Sequence, residues 1–463
     1  MASFTLEEIK RATGGSILRG DPLQVVTGVG TDSRSISQGD LFIPLVGETF
    51  DGHAFLKDAV AGGAAAVLAS DGEKIPADGS VSVIVVQNTK TALEKIAEWH
   101  RKRFSIPVVA VTGSNGKTTT KDMITSILRT KYHVCATPLN YNNEIGVSKT
   151  ILHMDENTEV CVTEMGMRGF GQIAELCSIA HPTLGVITNV GTSHIGLLGS
   201  RENIAKAKRE LIDALPLDGT AVLNQDDGLV KRMGDTYAGK IIGYGMQGKY
   251  PVHASAIAYT DAGTEFICSC FDEAFKVKLP LLGEHNVYDA LAAIATARVL
   301  GVSAARIARA LSAFQTEGSR QRMMNIHGVT VVDDSYNANP LSMEMALRAV
   351  LQLKGRKRFL ILGDMGELGE HAAKYHYELG EKAGQMGFDG LIALGDLSLN
   401  TADGAENAGV RIVKRASSSE EAVSAIAKMA ASGDIVLIKG SHAMHMDQIP
   451  EIWKGIVGTN GNQ

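Results

Sequence analysis

The sequence predicts an α/β protein of three domains, and three observations lead there. The first is alternation. Short, mostly β-branched apolar runs (Val83-Ile84-Val85-Val86, Val108-Val109-Ala110-Val111, Val160-Cys161-Val162, Gly185-Val186-Ile187, Ala221-Val222-Leu223) are separated by stretches with helical spacing. That is the pattern of parallel strands joined by crossover helices. The second is a glycine-rich loop, Gly113-Ser114-Asn115-Gly116-Lys117-Thr118-Thr119, set between one such run and a helix-like run. The third is length: 463 residues exceed what a single core supports.

Residues 1–104 form the first expected domain. Turns at Asp21-Pro22 and Gly39-Asp40 flank the apolar run Leu41-Phe42-Ile43, and a strand at Val83–Val86 leads to a helix with Leu93, Ile96 and Ala97 inward. The basic run Arg101-Lys102-Arg103 suits the dipole at that helix's C-terminus and needs no ligand. Residues 105–316 form the second, a central nucleotide-binding domain. Its helix after the loop has Met123, Ile124, Ile127 and Leu128 on one face. Near Tyr250–Leu282 the pattern changes to antiparallel strands, with Asp261-Ala262-Gly263 as a turn. A helix from about Asn286 to Leu300 is closed by Gly301, and another is capped by Ser303. Residues 317–463 form the third, a Rossmann-like, doubly wound domain. Its strands are Val329–Val332, Phe359–Leu362, Leu391–Leu394 and Ile435–Ile438.

Composition excludes several classes. Hydrophobic residues are 44% and charged residues 21%, values of an ordinary globular chain. A net charge of −6 argues against a nucleic-acid partner held by diffuse basicity. No apolar stretch is long enough to span a membrane. The start, Met-Ala-Ser-Phe-Thr-Leu-Glu-Glu, lacks the basic and apolar regions of a signal peptide. The five cysteines have no metal-binding spacing, and the expected compartment is the cytoplasm.

The loop carries the chemistry. Backbone N–H groups at a helix start attract anions, a lysine adds a point charge for β/γ-phosphates, and a neighbouring hydroxyl can ligate Mg²⁺. The spacing departs from the usual G-x-x-x-x-G-K-[ST] loop, because Val111 stands where the first glycine belongs and Gly113 replaces it. Glu164 follows the strand Val160–Val162, at the strand end where ligands gather in open sheets. Two readings stand for it: a carboxylate for a nucleotide-bound cation, or a helix-capping or surface residue. His194 lies beyond the strand Gly185–Ile187, either as a second cation ligand or as a hydrogen-bonded loop residue. Lys208 shares a helix face with Ile204 and Leu211. Burial lowers a lysine's pKa, and a neutral amine reacts with CO₂ to give an anionic carbamate. The alternative is a stem laid on the core with its amine in water. Asn142 and Asn143 belong to an amide-rich loop suited to gripping substrate or to capping, and Asn286 suits either an N-cap or a purine edge. Arg320 and Arg322 sit at the passage into the third domain, and Asp333-Asp334-Ser335-Tyr336-Asn337-Ala338-Asn339-Pro340 follows that domain's first strand. Gly363-Asp364-Met365-Gly366-Glu367-Leu368-Gly369 reads as a tight strand-to-helix turn and not as an NAD site.

These motifs together resemble the Mur ligase family, which includes the folylpolyglutamate synthases. Thr112–Thr119 resembles its ATP loop in its compact spacing. Thr188-Asn189-Val190-Gly191 through His194, Lys208, Asn224-Gln225-Asp226-Asp227 and Leu282–Asn286 resemble its central pattern. Thr31-Asp32-Ser33-Arg34 and Phe50-Asp51-Gly52-His53 resemble its UDP-substrate domain. Asp333–Pro340 and Leu362–Gly369 resemble the branch that adds D-alanyl-D-alanine. The resemblance implies an ATP-dependent amide-forming ligase of peptidoglycan precursor synthesis, serving cell-wall growth, shape and division. It would use two Mg²⁺ ions and join UDP-N-acetylmuramoyl-tripeptide to D-alanyl-D-alanine through an acyl phosphate, as a cytoplasmic monomer. The alternative is another ligase of the family, including a folylpolyglutamate synthase.

By the same resemblance, Gly113, Ser114, Asn115, Gly116, Lys117, Thr118 and Thr119 hold phosphates, Thr118 and Glu164 the first Mg²⁺, and His194 with carbamylated Lys208 the second. Lys117, His194 and Lys208 are the expected catalytic set. Asn286 would meet adenine, and Arg322 and Asp334 would reach the nucleotide. Arg322 is preferred to Arg320 because it precedes a methionine, Met323, as the family's arginine precedes Met or Leu. Ser33, Arg34, Asn142, Asn143, Ser335, Tyr336, Asn337 and Asn339 would meet the peptide substrates.

Overall fold

The computed structural model describes residues 2–456 except 71–74, 76–78, 80, 261 and 317. Asp261 of the expected turn and residue 317, the expected start of the third domain, lie outside the described residues. Three sheets, each backed by helices, carry the architecture.

The first sheet runs Ser16–Arg19, Ser82–Val85, Ala66–Ala69, Leu41–Phe42, Val29–Gly30, antiparallel at the first pair and parallel beyond. The helix Thr89–Arg101 starts at Asn88, whose side chain accepts from the Thr91 N–H, and buries Leu93, Ile96 and Ala97 as its periodicity predicts. It packs on the helices Glu144–Leu152 and Gln172–Ala180, so the apolar core of this region runs without a break into the central one. Arg101 is a correction to the dipole reading. It is 6% exposed, and its guanidinium donates to Ala180 O at 2.8 Å, Phe104 O at 2.6 Å, and Ile106 O and His181 O at 3.3 Å. A buried arginine that saturates carbonyls on both sides of a junction fastens it, a role that solvent-exposed Lys102 and Arg103 do not share.

The central sheet has nine strands: Glu273–Leu279, Gly263–Cys270, Val252–Thr260, Lys240–Gly245, Thr220–Asn224, Leu184–Ile187, Val108–Thr112, Val160–Glu164, Val134–Ala136. The expected antiparallel trio is not a separate unit. It joins the parallel sheet through a short parallel pairing of Val252 with Tyr244, extending one surface. Val108–Thr112 lies between Val160–Glu164 and Leu184–Ile187, and the chain leaves it in one direction before returning on the other side. That reversal opens a crevice at the strand's carboxyl end. The glycine loop therefore sits in the fold's own ligand crevice.

The third sheet runs Arg322–Ile326, Val329–Asp333, Ile435–Lys439, Arg358–Gly363, Gly390–Leu394, Ile412–Ala416, with only the first pair antiparallel. The hairpin at its edge turns through His327 and Gly328, both at positive φ. Ser303 stands at its helix's N-cap as expected but makes no side-chain bond there.

Candidate active site

The loop after Val108–Thr112 is fixed by its neighbours before any ligand is considered. Gly116 is the N-cap of the helix Lys117–Leu128 at φ +79°, and a Cβ there would collide with Asp289 Oδ1. Glycine is required twice, for backbone angle and for space. A Cβ on Gly113 would collide with Thr188 Oγ1. The strand end Thr188-Asn189 braces the loop: Ser114 N–H donates to Asn189 O at 2.9 Å, Asn115 N–H to Asn189 Oδ1 at 3.0 Å, and Thr188 Oγ1 to Asn115 O at 2.6 Å. Lys117 Nζ folds back onto Gly113 O at 3.0 Å and Ser114 O at 3.3 Å. Burial lowers its pKa, opposed by the charge of Glu164.

A cleft of about 1350 Å³ opens over this loop, walled by the central and third domains. Glu164 is 1% exposed at its floor. Its Oε1 accepts from Asn142 Nδ2 at 2.7 Å, while Oε2 is buried without a partner. Ser114 Oγ, Asn115 Nδ2 and Ser193 Oγ are likewise buried and unpartnered along this wall. Orphaned donors beside an orphaned carboxylate oxygen are costly in an empty core, and they match a polyanion carried with a cation. Among the described residues no three His, Cys, Asp or Glu side chains converge as a metal cage. Mg²⁺ held on a nucleotide uses one or two protein carboxylates with phosphates and water, so a lone Glu164 fits it.

Lys208 is 2% exposed on the helix Arg201–Asp213 and lines the cleft. Burial pushes its pKa far down, and the charge of Lys117 pushes the same way. The little of the side chain that is exposed faces the cleft and not the outer surface of the helix. His194 initiates the short helix Ile195–Leu198, with Nδ1 2.6 Å from Glu367 Oε2 of the third domain. Burial lowers its imidazole pKa, and Glu367 opposes that.

The facing wall comes from the third domain. Asn339 Nδ2 donates to Asn115 Oδ1 at 2.6 Å, a direct bond across the cleft to the glycine loop. Asp334 pairs with buried Lys439 at 2.7 Å and accepts from the Gln321 N–H at 3.2 Å. Gln321 also donates to His285 Nε2 at 2.8 Å, and burial drops His285 to about 4, so its ring is a neutral acceptor at physiological pH.

Family comparison decides what this cleft belongs to. The Mur ligase family catalytic domain matches residues 25–110, the Mur ligase middle domain 111–297, and the Mur ligase glutamate ligase domain 319–442. The chain belongs to the Mur ligase family. A Bacillus subtilis relative named UDP-N-acetylmuramoyl-tripeptide–D-alanyl-D-alanine ligase is 37% identical, over 97% of this chain and 98% of its own. One from Escherichia coli with the same name is 33% identical over 87% and 89%. A crystal structure of MurF from Acinetobacter baumannii superposes with a TM-score of 0.90 at 30% identity, covering 98% and 99%. MurF from Thermotoga maritima in complex with ADP superposes at 0.83 and 30% identity, covering 93% and 97%.

Within this Mur ligase cleft the structure redistributes several expected residues. Arg322 is exposed on the edge strand and does not line the cleft. Arg320 does, with its guanidinium 3.6 Å over the Tyr336 ring. Strand pairing sets this, since Arg322 is locked opposite Asp333 in the hairpin while Arg320 precedes it. Ser335 is also corrected: it is buried, and its hydroxyl donates to Asp333 Oδ1 at 2.5 Å instead of entering the cleft. Tyr336, Asn337 and Asn339 line the cleft. Asn143 caps its helix by accepting from the Gly146 N–H. Asn286 is not an N-cap. The cap is Gly283, and the Asn286 amide donates to Leu282 O and Gln321 Oε1, both at 2.8 Å. Ser33 and Arg34 lie on the first domain outside the cleft, with Arg34 paired to Asp32 at 2.7 Å.

Three residues escape sequence reasoning. Asp289, fully buried, accepts from Thr120 Oγ1 at 3.1 Å, and burial raises it to about 8. Lys121, 2% exposed, donates to Thr137 O at 2.9 Å and Leu139 O at 3.1 Å, shaping the loop that aims Asn142 at Glu164. The inward-facing test applied to Lys208 finds Lys121 too, one helical turn after Lys117. Lys439 gives no such signal, because it ends an apolar strand like any polar terminus.

Proposed function

We propose that this chain joins the terminal carboxylate of UDP-N-acetylmuramoyl-tripeptide to the amine of D-alanyl-D-alanine, with ATP converted to ADP and phosphate. The observation that carries this reading is a cleft in which the phosphate loop and the Asp334–Asn339 segment of the third domain are bonded to each other. It lies in a chain that matches relatives named for that reaction almost end to end.

A carboxylate is a poor electrophile, so it must be activated. Its oxygen attacks the γ-phosphorus, the bond to the bridging oxygen breaks, and ADP leaves, giving an acyl phosphate. The dipeptide's neutral amine then attacks the acyl carbon. Phosphate departs from the tetrahedral intermediate, and the amine's proton passes to solvent or a nearby base. The first step brings two anions together. Lys117 and the N–H groups at the start of its helix supply positive potential where they meet. Thr118 and Glu164 are the residues that would hold a first Mg²⁺. Bound there, such an ion screens the phosphate charge. His194 and Lys208 would hold a second, with Lys208 as its carbamate. Its amine attacks the carbon of CO₂ and loses a proton, which requires the neutral amine that burial favours. Arg320 and Asp334 would reach the nucleotide from the third domain, with Asn286 near the base. Tyr336, Asn337 and Asn339 would seat the dipeptide.

The first domain, with Ser33 and Arg34, would bind the UDP-sugar end. Among the described residues no helix is long and apolar enough to cross a membrane. The reading places a monomer in the cytoplasm, where ATP and UDP-linked precursors are available.

Phosphate release tests the proposal. It is measured with UDP-tripeptides ending in lysine or diaminopimelate, each with and without D-alanyl-D-alanine. Release that needs both peptide substrates is expected. Release without the dipeptide would make the chain a plain ATPase and overturn the reading.

A further inference from the structure

The segment Gly363–Gly369 is a sequence motif to which the proposed reaction gives no task. Its loop is held unusually firmly. The Met365 N–H donates to Nε2 of fully buried His376 at 2.9 Å, and His376 Nδ1 lies 2.7 Å from Ala372 O, which fixes the tautomer. Asp364 accepts from the Ser398 N–H at 2.7 Å and its hydroxyl at 2.6 Å. Met365 and Leu368 are buried. Between these anchors Glu367 adopts φ +60°, a left-handed conformation uncommon outside Gly, Asn and Asp. Glu367 is one of nine non-glycine positions at positive φ among the described residues, so its backbone alone assigns no function, and its side-chain contacts decide.

What the strained turn achieves is a reach across the cleft. Glu367 Oε2 comes within 2.6 Å of His194 Nδ1, and Oε1 within 2.9 Å of an Arg168 guanidinium nitrogen. Both partners belong to the central domain. The backbones also meet there: a Cβ on Gly196 would lie 3.1 Å from Glu367 O and from Gly369 N. The oxygen lies off the line of a well-aligned hydrogen bond from the ring, and such contacts commonly tighten when substrate binds.

We infer that Glu367 is a positioning residue: a carboxylate delivered by the third domain that fixes the tautomer and orientation of His194, so that this part of the site is complete only when the two domains are closed. The chemistry is direct. A carboxylate only accepts, so the ring nitrogen facing it must carry the hydrogen, and Nε2 is left with its lone pair. Histidines that hold cations are oriented in this way by a second group, and here that group sits on another domain. Arg168 pairs with the carboxylate's second oxygen and holds the side chain from the other side.

The inference rests on the proposed function for the role of His194, and its test is separable from it. Full-length Glu367→Ala and Glu367→Gln are compared with the wild type by calorimetric binding of a non-hydrolysable ATP analogue with Mg²⁺, without peptide substrates. Radius of gyration is measured by X-ray scattering, with and without that nucleotide. Glu367→Ala is expected to weaken nucleotide binding at least tenfold, to expand the nucleotide-free protein, and to leave the melting temperature unchanged. Glu367→Gln, which can place an N–H against the ring and select the other tautomer, is expected to restore compaction but not affinity. In a His194→Ala background the Glu367→Ala change should cost nothing further. An equal loss in both backgrounds, or unchanged affinity and compaction in Glu367→Ala, would overturn the inference. Failure of the peptide-dependent phosphate assay alongside a positive result here would sink the substrate assignment and leave the clasp standing.

Discussion

Replacing Gly116 by alanine separates two reasons for a glycine at the head of the phosphate loop. At φ +79° an L-residue costs about 1–2 kcal/mol. The new Cβ also meets Oδ1 of Asp289, a buried side chain on the helix Glu284–Val299, and overpacking of that kind costs about 1–3 kcal/mol. The sum is about 2–5 kcal/mol, which lowers the melting temperature of a domain this size by at least roughly 4 °C. Asp289→Ala removes the collision and leaves the backbone strain. It also gives up the bond from Thr120 Oγ1, worth about 0.5–1.5 kcal/mol. The two changes should therefore be non-additive by about 1–3 kcal/mol in the direction of rescue. Calorimetric melting of both single variants and the double variant reads this, and phosphate release reads the loop. Only the part of the stability lost to the collision should return in the double variant, and turnover should not return, because the N–H groups remain misplaced. Strict additivity would refute the packing argument, and a Gly116→Ala protein as stable as wild type would refute both terms.

Other expectations follow from the same geometry. Lys117→Ala should lower the rate of acyl phosphate formation roughly 10²–10³-fold with an unchanged melting temperature, read by rapid quench with labelled ATP. Arg320→Ala should raise KM for ATP at least about tenfold, the loss of a charged contact, while Arg322→Ala stays near wild type; the reverse order would restore the arginine preferred from sequence. Asp289, raised by burial to about 8, binds a proton in the folded state that the unfolded chain releases at ordinary carboxylate pH. Stability is therefore lost as pH rises from about 4 to about 8, at no more than about 1.4 kcal/mol per pH unit, and is level above. Asp289→Asn should flatten that slope in pH-dependent denaturation, and an unchanged slope would assign it elsewhere. Growth with ¹³C-labelled CO₂ should give a carbamate carbon resonance that disappears in Lys208→Met; its absence from wild-type protein would leave His194 without its proposed partner.

The elements legible in the sequence were those whose physics is local. Val108–Thr112 is five buried residues, so it reads as a continuous apolar run, and Lys208 betrays itself by falling on the face of Ile204 and Leu211. Edge strands were harder. Val134–Ala136, Arg322–Ile326 and Ile412–Ala416 are half-covered, and their mixed composition carries neither a buried run nor a clean alternation. Arg322 is preferred to Arg320 only on the methionine that follows it, and without the hairpin the pairing that turns Arg322 to solvent is invisible. Ser335 and Arg101 failed differently. A serine beside an aspartate reads the same whether it bonds that aspartate or a ligand, and an arginine at a helix end reads the same whether it is solvated or buried in another helix's carbonyls. The motif that holds Glu367 is visible in the sequence, but its partners are not, because His194 and Arg168 lie far away along the chain in another domain.

The central claim is that a peptide carboxylate takes the γ-phosphoryl group at the glycine loop. Labelling the terminal carboxylate of the UDP-tripeptide with ¹⁸O and analysing the released phosphate by mass spectrometry tests it most directly. One ¹⁸O per phosphate is predicted, carried over when the acyl phosphate collapses. Phosphate free of label, with both heavy oxygens still on unligated tripeptide or one lost elsewhere than to phosphate, would contradict the account.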